Sequence, residues 1–373
     1  MDNFTFTDIM VFLGISQGVF LAITLPIIHQ KNGRANSVLA LQLGMACLLL
    51  VSKMILYKAT EIWVIQWFEI AEVLIFLFGP LGYMYLKRLL IQGEGNYRCG
   101  IAHYLPAFLY FLYLGYLGLL PSAEFSRLWN LGKFNMVFSI AEGGALCFNI
   151  YYWFLCRKVI ADYIKNAKDQ LSFTQKVIPF LKRILLGIVC ILLLWVFSFI
   201  GLYFFGYKNP YINYESVWVG IPILIYGIGY YALKQPEIFR VALPKEKEIP
   251  VGRARLGEKE IEDLKQRLET LIHEDKVYLK NELTLGELSH RLDSSTNDLS
   301  WLLNNVYKSN FYDYINQFRI AAFLQKLQNN EHKQHTLLFL SMEVGFNSKS
   351  TFNKAFKAVV QDTPSSYIKK MNA

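Results

Sequence analysis

Up to residue 233 the chain is a series of long apolar runs parted by short polar segments. About 20 residues suffice to cross a bilayer as a helix. Seven runs reach that length, near 7–29, 37–57, 62–86, 101–120, 134–156, 179–206 and 213–233. Gly79-Pro80 falls inside the third run, where the missing proline N–H predicts a kink. Beyond 233 the rhythm changes to a helical period of three and four. From Glu258 one helix carries Ile261, Leu264, Leu268, Leu271 and Ile272 on a single face. A short helix over 283–292 follows, with Thr284 and Glu287 placed for a capping box. Asp293-Ser294-Ser295 makes a turn, and Thr296 to Val306 forms a second helix with Leu299, Leu302 and Leu303 inward. The pattern predicts an all-α chain: a seven-helix transmembrane bundle (1–233), a linker and connecting helix start (234–262), and an all-helical domain (263–373).

The stretch 336–367 repeats the helix, turn, helix arrangement. Leu337, Leu340 and Val344 form one apolar face, and Gly345 supplies a turn position where positive φ costs nothing. Asn347 and Ser348 are suitable N-caps. The next helix buries Phe352, Ala355, Phe356 and Val359 and leaves Lys349, Ser350, Asn353, Lys354 and Lys357 outside. Two short helices with a Gly turn and a polar, basic second helix match the arrangement that enters the DNA major groove. The first unit (284–306) aligns with the second (336–358): Leu288 with Leu340, and Leu299 with Phe352. Between them a linker helix is expected over 311–329. At 1.5 Å per residue, 18 residues span about 27 Å, close to one turn of DNA at ~34 Å.

Glu343-Val344-Gly345-Phe346, Ser350-Thr351-Phe352, Phe356-Lys357 and Thr363-Pro364-Ser365-Ser366-Tyr367 resemble the C-terminal signature of AraC/XylS-type regulators. The segment Asn310 to Ala321, with its Arg319-Ile320 pair, looks like that family's linker helix. The resemblance covers roughly the last 110 residues and none of the first 233. It implies two helix-turn-helix units on one long helix and a double-stranded DNA partner. Two departures stand out: Gln361 replaces a glycine two positions before Thr363, and Lys308 replaces the glycine often seen before the linker helix.

Composition agrees with a divided chain. Apolar residues make up 54% and charged residues only 18% of 373 positions, too apolar for an ordinary soluble protein. Residues 1–233 hold 17 Lys and Arg with 11 Asp and Glu, and residues 234–373 hold 21 and 18. Lys and Arg favour cytoplasmic loops. The first, third and fifth loops carry ten of them (Lys31, Arg34; Lys87, Arg88, Arg98; Arg157, Lys158, Lys165, Lys168, Lys176). The second, fourth and sixth carry four (Lys58; Arg127, Lys133; Lys208). The expected topology is an inner-membrane, multi-pass protein with its N-terminus outside and its C-terminal domain in the cytoplasm. No basic n-region or cleavage site marks a signal peptide.

A few ionisable residues sit inside the runs, and Lys53, Glu69, Glu72 and Glu142 fall in the outer half under this topology. Intramembrane charges face a bundle interior or an aqueous cavity. Two readings follow: a structural Lys53–Glu pair, or a polar pocket for a small-molecule ligand. Only six residues precede the first run and the outer loops are short, so a stimulus is expected to be read by the bundle itself. Trp63, Trp67, Trp129, Trp218, Tyr211 and Tyr214 fit an interfacial belt, and His103 an interfacial position. The five cysteines lie in the apolar part without close pairing and read as small hydrophobes. No metal, cofactor or catalytic spacing emerges, so no enzyme is expected.

Charge divides the C-terminal domain. Residues 333–373 carry six Lys against Glu343 and Asp362, and residues 263–332 carry eight basic against ten acidic side chains. The second unit therefore supplies most of the phosphate attraction. The expected groove-facing residues are Asn347, Lys349, Ser350, Asn353 and Lys354, with Lys357 on phosphate. In the first unit they are Thr296, Asn297, Ser300, Trp301 and Asn304, Trp301 having core packing as its alternative. Anionic lipid attracts the same basic face, so the bilayer is both solvent and competitor. The reading is a membrane-bound, sequence-specific transcription regulator with a sensor or anchor bundle, open to homodimerisation. The alternative is a membrane transporter or enzyme whose C-terminal domain binds DNA or a partner for regulation. The connector 234–262, with Pro236, Pro244, Pro250 and the run Lys245-Glu246-Lys247-Glu248, is the expected route of control.

Overall fold

A computed structural model describes residues 5–28, 33–91, 97–175, 177–206, 213–234 and 257–371. Lys31, Lys176, Lys208, Tyr211 and the connector 235–256 lie outside the described residues. The chain parts into two compact units. The first takes 1–161 and 176–243, and the second takes 162–175 and 244–373. A division at 233 leaves 162–175 with the membrane half, yet this segment folds with the C-terminal unit.

The first unit contains α1 (Phe6–Ile28), α2 (Gly33–Lys58), α3 (Ile62–Phe68), α4 (Phe78–Leu90), α5 (Leu105–Leu119), α6 (Ser122–Asn130), most of α7 (Asn135–Ala167), α8 (Val177–Phe205) and α9 (Tyr214–Lys234). α1 packs on α2 and α9, α2 on α4, and α8 on α9. Close approach is built from small residues, as in membrane helix pairs. A Cβ on Gly14 of α1 would lie 2.6 Å from the Pro222 side chain of α9. Phe12, Phe20, Phe108, Leu112, Leu186 and Phe197 stay exposed, the surface expected where the solvent is lipid rather than water.

Among the described residues, five helical stretches are long and apolar enough to cross a membrane: Phe6–Ile27, Gly33–Lys58, Ile62–Leu90, Val177–Phe205 and Tyr214–Lys234. A sixth exists if α5 and α6, bent by 113°, count as one broken span. Seven runs were expected. The fifth, 134–156, lies in α7, which is 33 residues long but is made more polar by Asn135, Ser139, Glu142 and Asn149.

The third run departs from regular α-helix before Pro80, where a kink was expected. Residues Glu69–Phe76 form a 3-10 segment between α3 and α4. An apolar medium penalises every backbone carbonyl freed in this way, and neighbouring polar side chains take them up. Ser52 Oγ donates to the Phe68 carbonyl (2.7 Å), Asn149 Nδ2 to Ile75 (2.9 Å) and Gln42 Nε2 to Phe78 (2.9 Å). Gln66 does the same at the break after α5. Its Nε2 reaches the carbonyls of Leu117 (2.8 Å), Gly118 (3.2 Å) and Leu120 (2.7 Å), groups that a helix C-terminus leaves without partners.

The second unit holds α10 (Glu258–His273), α11 (Leu285–Arg291), α12 (Thr296–Asn305), α13 (Phe311–Gln328), α14 (Leu337–Glu343), α15 (Lys349–Val360) and α16 (Pro364–Met371). Two hydrophobic cores are strung along α13. Phe311 and Ile315 join Leu264, Leu268, Leu288, Leu299 and Leu302 in one. Ile320, Phe323 and Leu327 join Leu340, Val344, Phe352 and Phe356 in the other. α10 thus packs inside its own domain. Side-chain caps define the helix starts: Thr284, Ser295, Asn310, Thr336 and Ser348 each accept from the backbone N–H three residues on. A cap of this kind contributes about 1 kcal/mol. Thr284 is the cap expected, but the Glu287 carboxylate turns to Lys280 and Arg291 instead of closing the box.

Candidate nucleic-acid interface and membrane cavity

The caps measure the duplication. Thr284 and Thr336 open α11 and α14, 52 positions apart, and Ser295 and Ser348 open α12 and α15, 53 apart. The second turn is therefore one residue longer. It turns on Gly345, whose φ is +97°, and the first turns on Asp293 at φ 48°. No side chain fits at 345: a Cβ would meet the Tyr278 carbonyl oxygen at 2.6 Å and Arg319 Nε at 2.9 Å.

On α15, Thr351, Phe352, Ala355 and Phe356 are buried, and Lys349, Ser350, Asn353, Lys354 and Lys357 are exposed along one face. Val359, expected in the buried stripe, is 44% exposed; the adjacent Val360 packs on the core in its place. Ser348 alone caps the helix, with Thr351 N–H at 3.2 Å. Asn347 is half-buried and is not the cap, and its side-chain oxygen is buried without a partner among the described residues. Lys349, Lys354 and Lys357 form no ion pair among the described residues, whereas Lys326 binds Glu331 (2.9 Å) and Glu343 (3.0 Å), and Lys370 binds Asp362 (2.8 Å). Hydrogen bonds that the Lys326 ammonium donates to Glu331 and Glu343 hold it above its ordinary pKa. Of these five lysines, the three without a carboxylate all sit on one face of α15.

The first unit offers less. Thr296 and Asn304 are exposed, and Asn297 and Trp301 are half-buried. Ser300 is only 8% exposed, and Asn304 Nδ2 donates to its carbonyl (3.0 Å) and hydroxyl (3.3 Å). The outward placement expected of Ser300 does not hold, because it lies beside Leu299 on the turn of the helix that meets the core.

Sequence reasoning treated Arg319 only as half of a matching pair. It is fully buried, and burial pulls its guanidinium down to about 10. The group remains charged at neutral pH and is surrounded by acceptors: the carbonyls of Tyr278 (2.7 Å), Lys280 (2.8 Å) and Ser172 (3.0 Å), Asn316 Oδ1 (3.1 Å) and Ser172 Oγ (3.1 Å). Its plane also lies 5.7 Å from the Phe346 ring.

In the first unit of the chain, a cavity of about 520 Å³ is lined by Lys53, Glu69, Glu72 and Glu142 together. Lys53 pairs with Glu72 and lies 5.4 Å from the Trp218 ring, and Trp195 Nε1 donates to Glu142 at 2.7 Å. The structural pair and the cavity are therefore both present. Its other lining residues are mostly apolar and aromatic, including Tyr110, Trp129, Tyr203 and Trp218. Tyr85 also lines it and is 6% exposed, with a hydroxyl that has no partner among the described residues. Tyr85 and Trp195 were missed because a lone aromatic in an apolar run carries no sequence signal. His103 meets the Tyr152 hydroxyl.

A family model described as a helix-turn-helix domain matches residues 288–370. This part of the chain is an AraC-type helix-turn-helix domain, carried behind helices apolar enough to be membrane spans. No curated protein and no solved structure matches the chain. The domain points to DNA-binding transcription regulation.

Proposed function

We propose that the protein is a membrane-embedded, sequence-specific transcription regulator whose helical bundle is the sensor. The row of lysines with Asn353, exposed on one face of α15 in the second helix-turn-helix unit, carries this reading. Lys349, Ser350, Asn353 and Lys354 read base edges there and Lys357 binds phosphate; Thr296, Asn297 and Asn304 act in the first unit. α13, at 18 residues, is long enough to set two recognition helices about one DNA turn apart. The excess of Lys and Arg in alternate loops supports an inner-membrane protein with the C-terminal domain in the cytoplasm and seven crossings, α7 supplying one and α5 with α6 another.

The stimulus in this reading is a small molecule held in the 520 Å³ cavity. Three carboxylates stand against one ammonium, and aromatic rings, Tyr110, Trp129, Tyr203 and Trp218 among them, line the same space, which favours an organic cation. The alternative, a transporter with a regulatory DNA-binding tail, uses the same cavity.

The experiment is footprinting of the full chain, in detergent or nanodiscs, on upstream genomic fragments at two salt concentrations. A discrete footprint that Lys349→Ala and Asn353→Ala alter in sequence is expected. Binding without sequence preference at either salt sinks the regulator reading, and a footprint unchanged in both variants sinks the assignment of α15. Target genes come from transcript profiling of a deletion strain. Uptake of a compound by vesicles, with no change in those transcripts, would favour the transporter.

A further inference from the structure

The segment joining α7 to α8 reads in the sequence as one more basic loop. In the structure it is part of the DNA-binding unit. Leu171 is 2% and Ser172 0% exposed. Leu171 forms an antiparallel bridge with Thr284, the cap of α11. Around that bridge, Ser172 N–H donates to the Leu283 carbonyl (3.2 Å), and Leu285 N–H donates to the Gln170 carbonyl (2.9 Å). The Ser172 hydroxyl donates to Leu283 (2.8 Å). In the first turn of α13, Tyr312 N–H donates to the Lys168 carbonyl (2.9 Å), and the Lys168 ammonium reaches Asp313 at 3.3 Å.

The end of this segment meets Arg319. The Ser172 carbonyl accepts from Arg319 Nη1 (3.0 Å) and Asn316 Nδ2 (3.1 Å), and its hydroxyl oxygen accepts from Arg319 Nη2 (3.1 Å). A buried guanidinium needs these acceptors, because desolvation without partners is costly. The residues matched as a helix-turn-helix domain, 288–370, contain Arg319 and Asn316 but not the segment that satisfies them.

We propose that the DNA-binding domain contains a docking site for an extended peptide, occupied in cis by Lys168–Ser172, and that this latch is the route by which the bundle controls the domain. The occupant is fixed by chemistry: a backbone carbonyl and a hydroxyl for the Arg319–Asn316 pair, a strand-like backbone for Leu283–Leu285, and a cation for Asp313. The position explains the control. Arg319 also holds the Tyr278 and Lys280 carbonyls and faces Phe346, which precedes α15. Whatever pulls on Ser172 acts on the residue that ties both helix-turn-helix units to α13. The chain crosses between its units at 161/162, 175/176 and 243/244, and the first two crossings flank the buried Leu171–Ser172 pair. The control half rests on the regulator reading; the docking half does not.

The test uses the full chain in inverted membrane vesicles, with a specific protease site inserted between Lys247 and Glu248. After cleavage and a high-salt wash, the C-terminal fragment stays in the membrane pellet. With Ser172→Pro or Arg319→Ala it moves to the supernatant. Release from the unsubstituted latch overturns the proposal, and so does equal retention in the variants, since lipid would then be the anchor. Because either variant could unfold the domain, a second arm leaves the core intact. Leu171→Cys with Thr284→Cys, the native cysteines replaced by serine, is oxidised and then cleaved at the inserted site. One joined band that reductant splits in two is expected on a denaturing gel, and two bands under oxidant refute docking. For control, a flexible insert of about ten residues in the connector leaves target transcripts unchanged, whereas Ser172→Pro shifts them several-fold. The reverse ranking refutes the route. Neither gel arm involves DNA, so a failed footprint leaves both outcomes standing.

Discussion

Gln361 and Lys308 stand in left-handed backbone, at φ 60° and 51°, where the resembled family favours glycine. A side chain costs roughly 1–2 kcal/mol in that region, and Gln361 recovers part of it through a bond from Nε2 to the Ala358 carbonyl (3.0 Å). Gln361→Gly should therefore raise the stability of the C-terminal unit by about 1 kcal/mol, read as a higher midpoint for its unfolding in the full chain. Gly345→Ala should do the opposite and by more. It adds the same backbone cost to a contact of 2.6 Å with a carbonyl oxygen that cannot move aside without disturbing Arg319. A loss of only a few tenths of a kcal/mol would mean that the turn relaxes. Gln361 was legible as a departure because the motif around it is dense. The Arg319 cluster was not, since its acceptors are backbone carbonyls, and any residue type supplies a carbonyl.

Among the elements, the apolar stripes of α10 to α15 and the caps Thr284 and Ser348 were readable from the sequence, because short amphipathic helices announce both their buried face and their first turn. Val359 and Ser300 were misplaced for a common reason. Each lies at the border of its helix's buried arc, where a small difference in how two helices pack decides exposure. The charge division between the two helix-turn-helix units predicts unequal roles. Lys357→Ala should weaken binding to all sequences alike and lower the slope of log K against log salt by about 0.9. Removing Asn353 should leave the slope alone and relax base preference instead. An unchanged slope for Lys357→Ala would take it off the phosphate backbone. In the membrane unit, Gln66 holds three carbonyls at the break after α5. Gln66→Leu should reduce the yield of folded protein in membranes far more than Gln42→Leu, whose amide serves a single carbonyl.

For the whole molecule, two predictions concern the membrane. Reporter fusions after residue 234 should give a cytoplasmic signal; a periplasmic one would reverse the proposed orientation. Glu142→Gln should blunt the transcriptional response to an organic cation that induces the wild type, while Lys53→Gln should leave the carboxylates in place and retain it. A normal response in Glu142→Gln would return that residue to a structural role with Trp195. The sequence by itself determined the two solvents, the helical class, the duplicated domain and the charges Lys53, Glu69, Glu72 and Glu142 within the apolar runs. These follow from local periodicity and composition, which each segment carries alone. Tertiary structure decided what depends on distant residues meeting: the 3-10 break whose carbonyls are taken by other helices, the single cavity that gathers Lys53 and the three glutamates, and the capture of 168–172 by a domain that begins about 90 positions later. Backbone hydrogen bonds close that last contact, and backbone is the part of a chain that sequence leaves unmarked.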